Sequence, residues 1–310
     1  MNKIEGLVAA AFTPLHPDGS VNREMIPEVV DKLVADGLKG IFVCGSNGEG
    51  PNMTSKERMQ VAEDFIRAAD GRLLTVVHVG HSSIAAAKIL ANHAAKTGAD
   101  AFSSVAAFYF RPSSVQNLAG CMAEIATGAP DLPFYYYHIP HLTGVSMDML
   151  EFLEIAGPLI PNLAGIKYTA SSIHEFQACL AYQNKRYDIL FGLDELLLPA
   201  LAVGAKGAIG STYTFAAPVY QKTIEYFNSG DLAAAQKNHE QVIKIIRLLS
   251  KYPPIPAQKA IMKMLGWDFG PCRLPLQNLS GADYEKFHSQ LMEVPLFSHL
   301  PKRKKSGYKK

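Results

Sequence analysis

The sequence is short of the features that build disulfide-rich, membrane-spanning or nucleic-acid-binding proteins. Its four cysteines, Cys44, Cys121, Cys179 and Cys272, are scattered, with no C-x-x-C pair among them. A chain of 310 residues can bury a core without a disulfide framework, so free thiols in a reducing compartment are expected. No apolar run approaches the roughly 20 residues that a bilayer helix needs. Residues 1–11 carry Glu5 and only a short apolar stretch, which is unlike a secretory signal. A cytoplasmic protein with no membrane association is predicted. Charge of one sign is also missing from the body of the chain. The formal net charge is +2, but residues 301–310 hold six positive side chains and no negative ones. Without them the charge is −4, so no basic fold is on offer to nucleic acid. The end of the chain, 299–310, is expected to be a basic, disordered tail.

Two further absences narrow the architecture. No glycine fingerprint of a dinucleotide-binding sheet occurs, and no H-x-H motif opens the first apolar run. What is present is ample core material, 48% hydrophobic against 19% charged. Short apolar or β-branched runs recur at 6–14, 40–45, 73–80, 101–108, 133–140, 163–169, 187–193 and 207–212. Helix-like segments fill the gaps, among them 21–37, 54–69 and 82–97. Thr54 precedes Glu57 by three, the spacing of a capping box. Eight strands, seven helices between them and one after predict a (β/α)8 TIM barrel over 1–229. Beyond Ser229 the pattern is helical only. Segments at 231–251, from about 256, and at 281–292 predict a C-terminal extension of three helices over 230–298, within the same domain.

In a barrel of this kind the active site lies where the strands end. The sixth run, Leu163-Ala164-Gly165-Ile166-Lys167-Tyr168-Thr169, carries a lysine near its end. Taken alone, such a lysine packs its stem and sends its head to water. Partial removal from water disfavours the ammonium form, however, and favours an amine that can attack a ketone. The other strand ends add matching groups. The second runs into Gly45-Ser46-Asn47-Gly48-Glu49-Gly50, a tight turn able to hold a carboxylate. The fifth offers Tyr135, Tyr136 and Tyr137, the seventh Gly192, Asp194 and Glu195, and the eighth Ser211. Any one of these could be packing or helix capping; together they form one coherent site. A metal-dependent barrel enzyme is the mechanistic rival, on the strength of His78, His81, His138 and His141.

The motifs GSNGEG, YYHIP, GIK, GLDE and GAIGSTY together resemble the pyruvate-dependent class I aldolases of the N-acetylneuraminate lyase and dihydrodipicolinate synthase family, over roughly 4–295. Within it the pattern is most similar to the lyases. The synthases place a carboxylate-gripping arginine two residues after the proline of YYHIP, where this chain has Leu142. The resemblance implies that Lys167 forms a Schiff base and that Tyr137 transfers protons. It implies that Ser46 and the Asn47 backbone hold the carboxylate, and that Thr169, Gly192, Asp194, Glu195 and Ser211 contact the substrate. Asn47 departs from the usual hydroxyl residue, so only its backbone donor is expected to serve. Tyr109 is implied to reach a neighbouring subunit's site in a homotetramer. The implied reaction is cleavage of N-acetylneuraminate, a sialic acid, to pyruvate and N-acetylmannosamine, with no cofactor and no metal. Dihydrodipicolinate synthase or keto-sugar-acid aldolase activity is the alternative within the family.

Overall fold

The computed structural model describes residues 3–298, so the basic end at 299–310 lies outside the described residues. Among the described residues, eight parallel strands close into a barrel in chain order. They are β1 (Gly6–Ala10), β2 (Gly40–Val43), β3 (Leu74–His78), β4 (Ala101–Val105), β5 (Phe134–His138), β6 (Leu163–Tyr168), β7 (Asp188–Phe191) and β8 (Gly207–Gly210). Each lies inside one of the eight expected runs, so the predicted (β/α)8 barrel is the observed fold. The runs read as apolar throughout because both faces of each strand are buried. Val8, Phe42, Val76, Val105, Tyr137, Leu190 and Ile209 fill the interior. The alternate residues, such as Ala9, Ile41, Val77, Phe102, Tyr136 and Ile166, pack outward under the helices.

The helices of the outer ring are α1 (Ile26–Ala35), α2 (Ser55–Ala69), α3 (Ile84–Lys96), α4 (Val115–Ala126), α5 (Pro140–Thr143), α6 (Met149–Leu159), α7 (Ile173–Lys185), α8 (Leu197–Ala202) and α9 (Tyr213–Asn228). The capping box at α2 forms: the Glu57 N–H donates to Thr54 Oγ1 at 3.2 Å, and the Thr54 N–H donates to Glu57 Oε2 at 2.9 Å. One gap holds more than expected. Between β5 and β6 there are two helices, because Pro140 starts a single turn that Gly144 stops at φ +66°.

The extension comprises α10 (Leu232–Leu249), α11 (Pro254–Met264) and α12 (Gly281–Leu291), close to the expected bounds. It is fastened to the loops at the carboxyl ends of the strands. Lys259 of α11 pairs with Glu49 at 2.7 Å, both side chains almost fully buried. Arg273 pairs with Glu57 at 2.6 Å and donates to the Gly19 carbonyl at 2.8 Å. His239 of α10 donates from Nε2 to the Glu195 carbonyl at 2.9 Å. Among the described residues no helix is long and apolar enough to cross a membrane.

Candidate active site

Lys167 is the fifth residue of β6, paired in register with Tyr137 of β5 and Leu190 of β7. Side chains on paired residues share a face, so Lys167 and Tyr137 both point into the barrel, each 3% exposed. The amine stands 3.8 Å from the centroid of the Tyr137 ring and 4.2 Å from that of Phe42. Among the described residues no carboxylate pairs with it. Its near neighbours are ring faces, and they leave the nitrogen unencumbered by a salt bridge. The Tyr137 ring meets Phe42 edge to face at 5.4 Å and His78 at 5.7 Å, so the His78 ring backs the two rings beside the lysine.

The three tyrosines of β5 separate by alternation. Tyr136 turns outward onto Phe152, with centroids 4.7 Å apart. Tyr135 points inward, but its hydroxyl donates to Asp188 Oδ2 at 2.9 Å, where the Ile4 N–H also donates at 2.9 Å. Burial and that carboxylate push the Tyr135 hydroxyl strongly up, so it is a fixed donor at the opposite end. Tyr137 is the one tyrosine of the three beside the amine.

The turn after β2 begins at Cys44, held at φ +58°. Gly50 is needed here, since a Cβ on it would stand 1.9 Å from the Cys44 carbonyl oxygen. Ser46 and Asn47 are half-buried. Among the described residues no acceptor takes their backbone N–H groups, and the Ser46 hydroxyl has no partner. The Asn47 amide leans back toward the Ala10 carbonyl at 3.5 Å. Free donors on a turn whose shape is fixed make a place for a small anion. The turn is pinned through Glu49, whose Oε1 accepts from Lys259 and whose Oε2 accepts from the Arg273 N–H at 2.9 Å.

On the other side of Lys167, the Thr169 N–H donates to the His138 carbonyl at 2.8 Å, while its Oγ1 is buried without a partner. A side chain at Gly192 would bring a Cβ to 2.0 Å from that Oγ1. Asp194 is buried; its Oδ2 accepts from the Thr212 N–H at 2.9 Å, the Thr212 hydroxyl at 2.7 Å and the Ser211 hydroxyl at 3.4 Å. Burial nevertheless pushes its carboxyl up to about 6, against the pull of the Thr212 donors and the Lys167 charge. Glu195 is half-buried, with its carbonyl held by His239.

The structure therefore gathers Lys167, Tyr137, Ser46, Asn47, Thr169, Gly192, Asp194, Glu195 and Ser211 on loops and strand ends at one mouth. Tyr109 stands apart, 78% exposed and edge to face with the equally exposed Phe110 at 5.0 Å. Leu142 is exposed on α5. Two of the four histidines of the metal alternative diverge: His78 points inward, whereas His138 points outward, its ring tilted against Tyr168 with centroids 5.3 Å apart. Among the described residues no three His, Cys, Asp or Glu side chains converge as metal ligands. Sequence reasoning missed Phe42, His239 and Lys259. Only the strand alternation placing Phe42 inward could have signalled any of them.

The sequence pattern of the Dihydrodipicolinate synthetase family matches residues 3–294. N-acetylneuraminate lyase of Rattus norvegicus is 40% identical over 280 residues, covering 89% of this chain and 88% of its own. Among solved structures, N-acetylneuraminate lyase of Proteus mirabilis superimposes with a TM-score of 0.92 at 40% identity, over 95% of this chain and all of its own. A dihydrodipicolinate synthase of Bacillus anthracis superimposes with a TM-score of 0.88 at 25% identity, over 97% of this chain and all of its own.

Proposed function

The chain belongs to the dihydrodipicolinate synthetase family, and on that premise we propose that it is an N-acetylneuraminate lyase working through a Schiff base on Lys167. The observation that carries this reading is the pairing of Lys167 with Tyr137 at the barrel mouth, with Leu142 rather than a cation on α5. The Lys167 amine adds to the ketone of the open-chain sialic acid and water leaves, giving an iminium that draws electrons from the bond to be cleaved. Ser46 and the Asn47 N–H hold the carboxylate beside it. Tyr137 takes the proton from the hydroxyl next to that bond as N-acetylmannosamine departs, and returns one to the enamine carbon. Water then releases pyruvate and the free amine.

Thr169, Gly192, Asp194, Glu195 and Ser211 receive the polyhydroxylated chain. Carboxylates accept hydrogen bonds from hydroxyls and repel a second anion, which favours a sugar acid over an anionic aldehyde. Tyr109 lies on an exposed aromatic tip with Phe108 and Phe110, and it is assigned to the mouth of a neighbouring copy in a homotetramer. A cytoplasmic setting suits the buried or half-buried free thiols.

The test is pyruvate release, coupled to a reporter, from a small panel of keto acids. N-acetylneuraminate should be cleaved far better than a keto acid lacking the glycerol-like tail, because site groups left without a hydroxyl partner discriminate strongly. Condensation of pyruvate with aspartate semialdehyde should be negligible. Glu195→Gln should weaken sialic acid cleavage while leaving pyruvate capture intact. Efficient use of the semialdehyde, with Glu195→Gln silent toward N-acetylneuraminate, would assign the synthase activity instead.

A further inference from the structure

We propose that His78 is a positioning residue that couples the carboxylate-holding turn to the proton-transfer tyrosine, an assignment that rests on the aldolase reading above. His78 ends β3, points into the barrel and is 3% exposed. It has two partners of different kinds. Its Nδ1 lies 3.1 Å from the carbonyl oxygen of Cys44, the residue at φ +58° from which the Ser46–Asn47 turn departs. Its ring meets Tyr137 edge to face at 5.7 Å and tilts against Phe42 at 5.9 Å. Those two rings are the ones beneath the Lys167 amine. One imidazole thus touches both halves of the site.

The tautomer follows from the partners. A carbonyl only accepts, so Nδ1 carries the proton and Nε2 holds a bare lone pair. Nε2 is buried with no hydrogen-bond partner. Arg58 of α2 comes within 3.5 Å of Nδ1, but that nitrogen is committed at 2.6 Å to the His78 carbonyl, and its twin donates to the Gly80 carbonyl at 2.9 Å. The end of β3 is therefore clamped from behind, and the ring is aimed by its backbone. Burial and the Arg58 and Lys167 charges push the imidazole well down. It stays neutral and adds no positive charge beside a forming iminium.

The two links can be cut separately. His78→Asn keeps a side-chain N–H for the Cys44 carbonyl and removes the ring. His78→Phe keeps a ring against Tyr137 and removes the donor. A single hydrogen bond to the turn corresponds to a change of up to about tenfold in affinity. His78→Phe should therefore raise the pyruvate concentration for half-maximal borohydride trapping by up to about tenfold, with kcat changed far less. His78→Asn should leave that concentration within about twofold of wild type and lower kcat for cleavage on the order of tenfold. If both variants fold and show the same kinetic profile, or neither departs from wild type, the coupling is wrong and His78 is packing alone. Should one of them not fold, His78→Ala removes both links and must show both changes; a change in only one would overturn the proposal. A wild-type enzyme that pyruvate and borohydride do not label would instead refute the aldolase reading.

Discussion

Asp194 should carry a pH dependence that can be read twice, once in stability and once in catalysis. Its carboxyl ionises at about 6 in the folded chain, against 3.8 ordinarily, because burial outweighs the two Thr212 donors. Between about pH 4 and 6 the folded state therefore binds more protons than the unfolded state. The stability present below pH 4 is lost as pH rises through 6. The difference between 3.8 and about 6 corresponds to about 3 kcal/mol, fully lost by neutral pH. Asp194→Asn can still accept both Thr212 donors through its amide oxygen, and it never ionises. In urea titrations at pH 7.5 the variant should be the more stable protein by up to about 3 kcal/mol, with the gap closing toward pH 4. Catalysis should move the other way. The charged carboxylate binds substrate hydroxyls better than an amide, so the wild type should lose kcat/KM below about pH 6 as Asp194 protonates. In Asp194→Asn that acid limb should flatten and KM should rise on the order of tenfold. Pyruvate capture at Lys167 should be unaffected. Identical pH–stability curves for the two proteins between pH 4 and 7 would refute the assigned cause, burial of an ionised carboxylate.

Tyr137→Phe removes one hydroxyl and keeps the ring under the amine. Turnover should fall on the order of 100- to 10,000-fold in the coupled assay while borohydride trapping with pyruvate persists; near-normal turnover would remove Tyr137 from proton transfer. Lys259→Met strands Glu49, 1% exposed, without its cation, which should destabilise by about 3–5 kcal/mol in urea titration. The double variant Glu49→Gln/Lys259→Met should recover most of that loss, and a single variant as stable as wild type would show that the pair is not holding the turn.

The barrel was legible because its strands are buried on both faces and its helices carry their own start signals. β6 reads as an apolar run whichever way its side chains point, and α2 announces itself with Thr54 and Glu57. The residues at strand ends were legible for a related reason, since chain order fixes which loops meet at the mouth. Partners distant in sequence were not. Nothing near Glu49 reports that its cation comes from α11, 210 residues on, or that His239 of α10 holds the Glu195 carbonyl. In the sequence His78 reads as a possible metal ligand because it shares the strand ends with His81, His138 and His141. Its two partners come together only once the barrel closes, with Cys44 just past the neighbouring β2 and Tyr137 reaching across the interior from β5. The short α5 was missed because Pro140 and Gly144 sit four residues apart, and they read as an ordinary loop.

The most direct measurement of the Schiff-base chemistry is the intact mass of the protein after borohydride reduction in the presence of pyruvate, followed by peptide mapping. One reduced pyruvyl adduct per chain, on the peptide containing Lys167 and absent from Lys167→Ala, is the expected result. An unlabelled wild type, or equal labelling of Lys167→Ala, would contradict it.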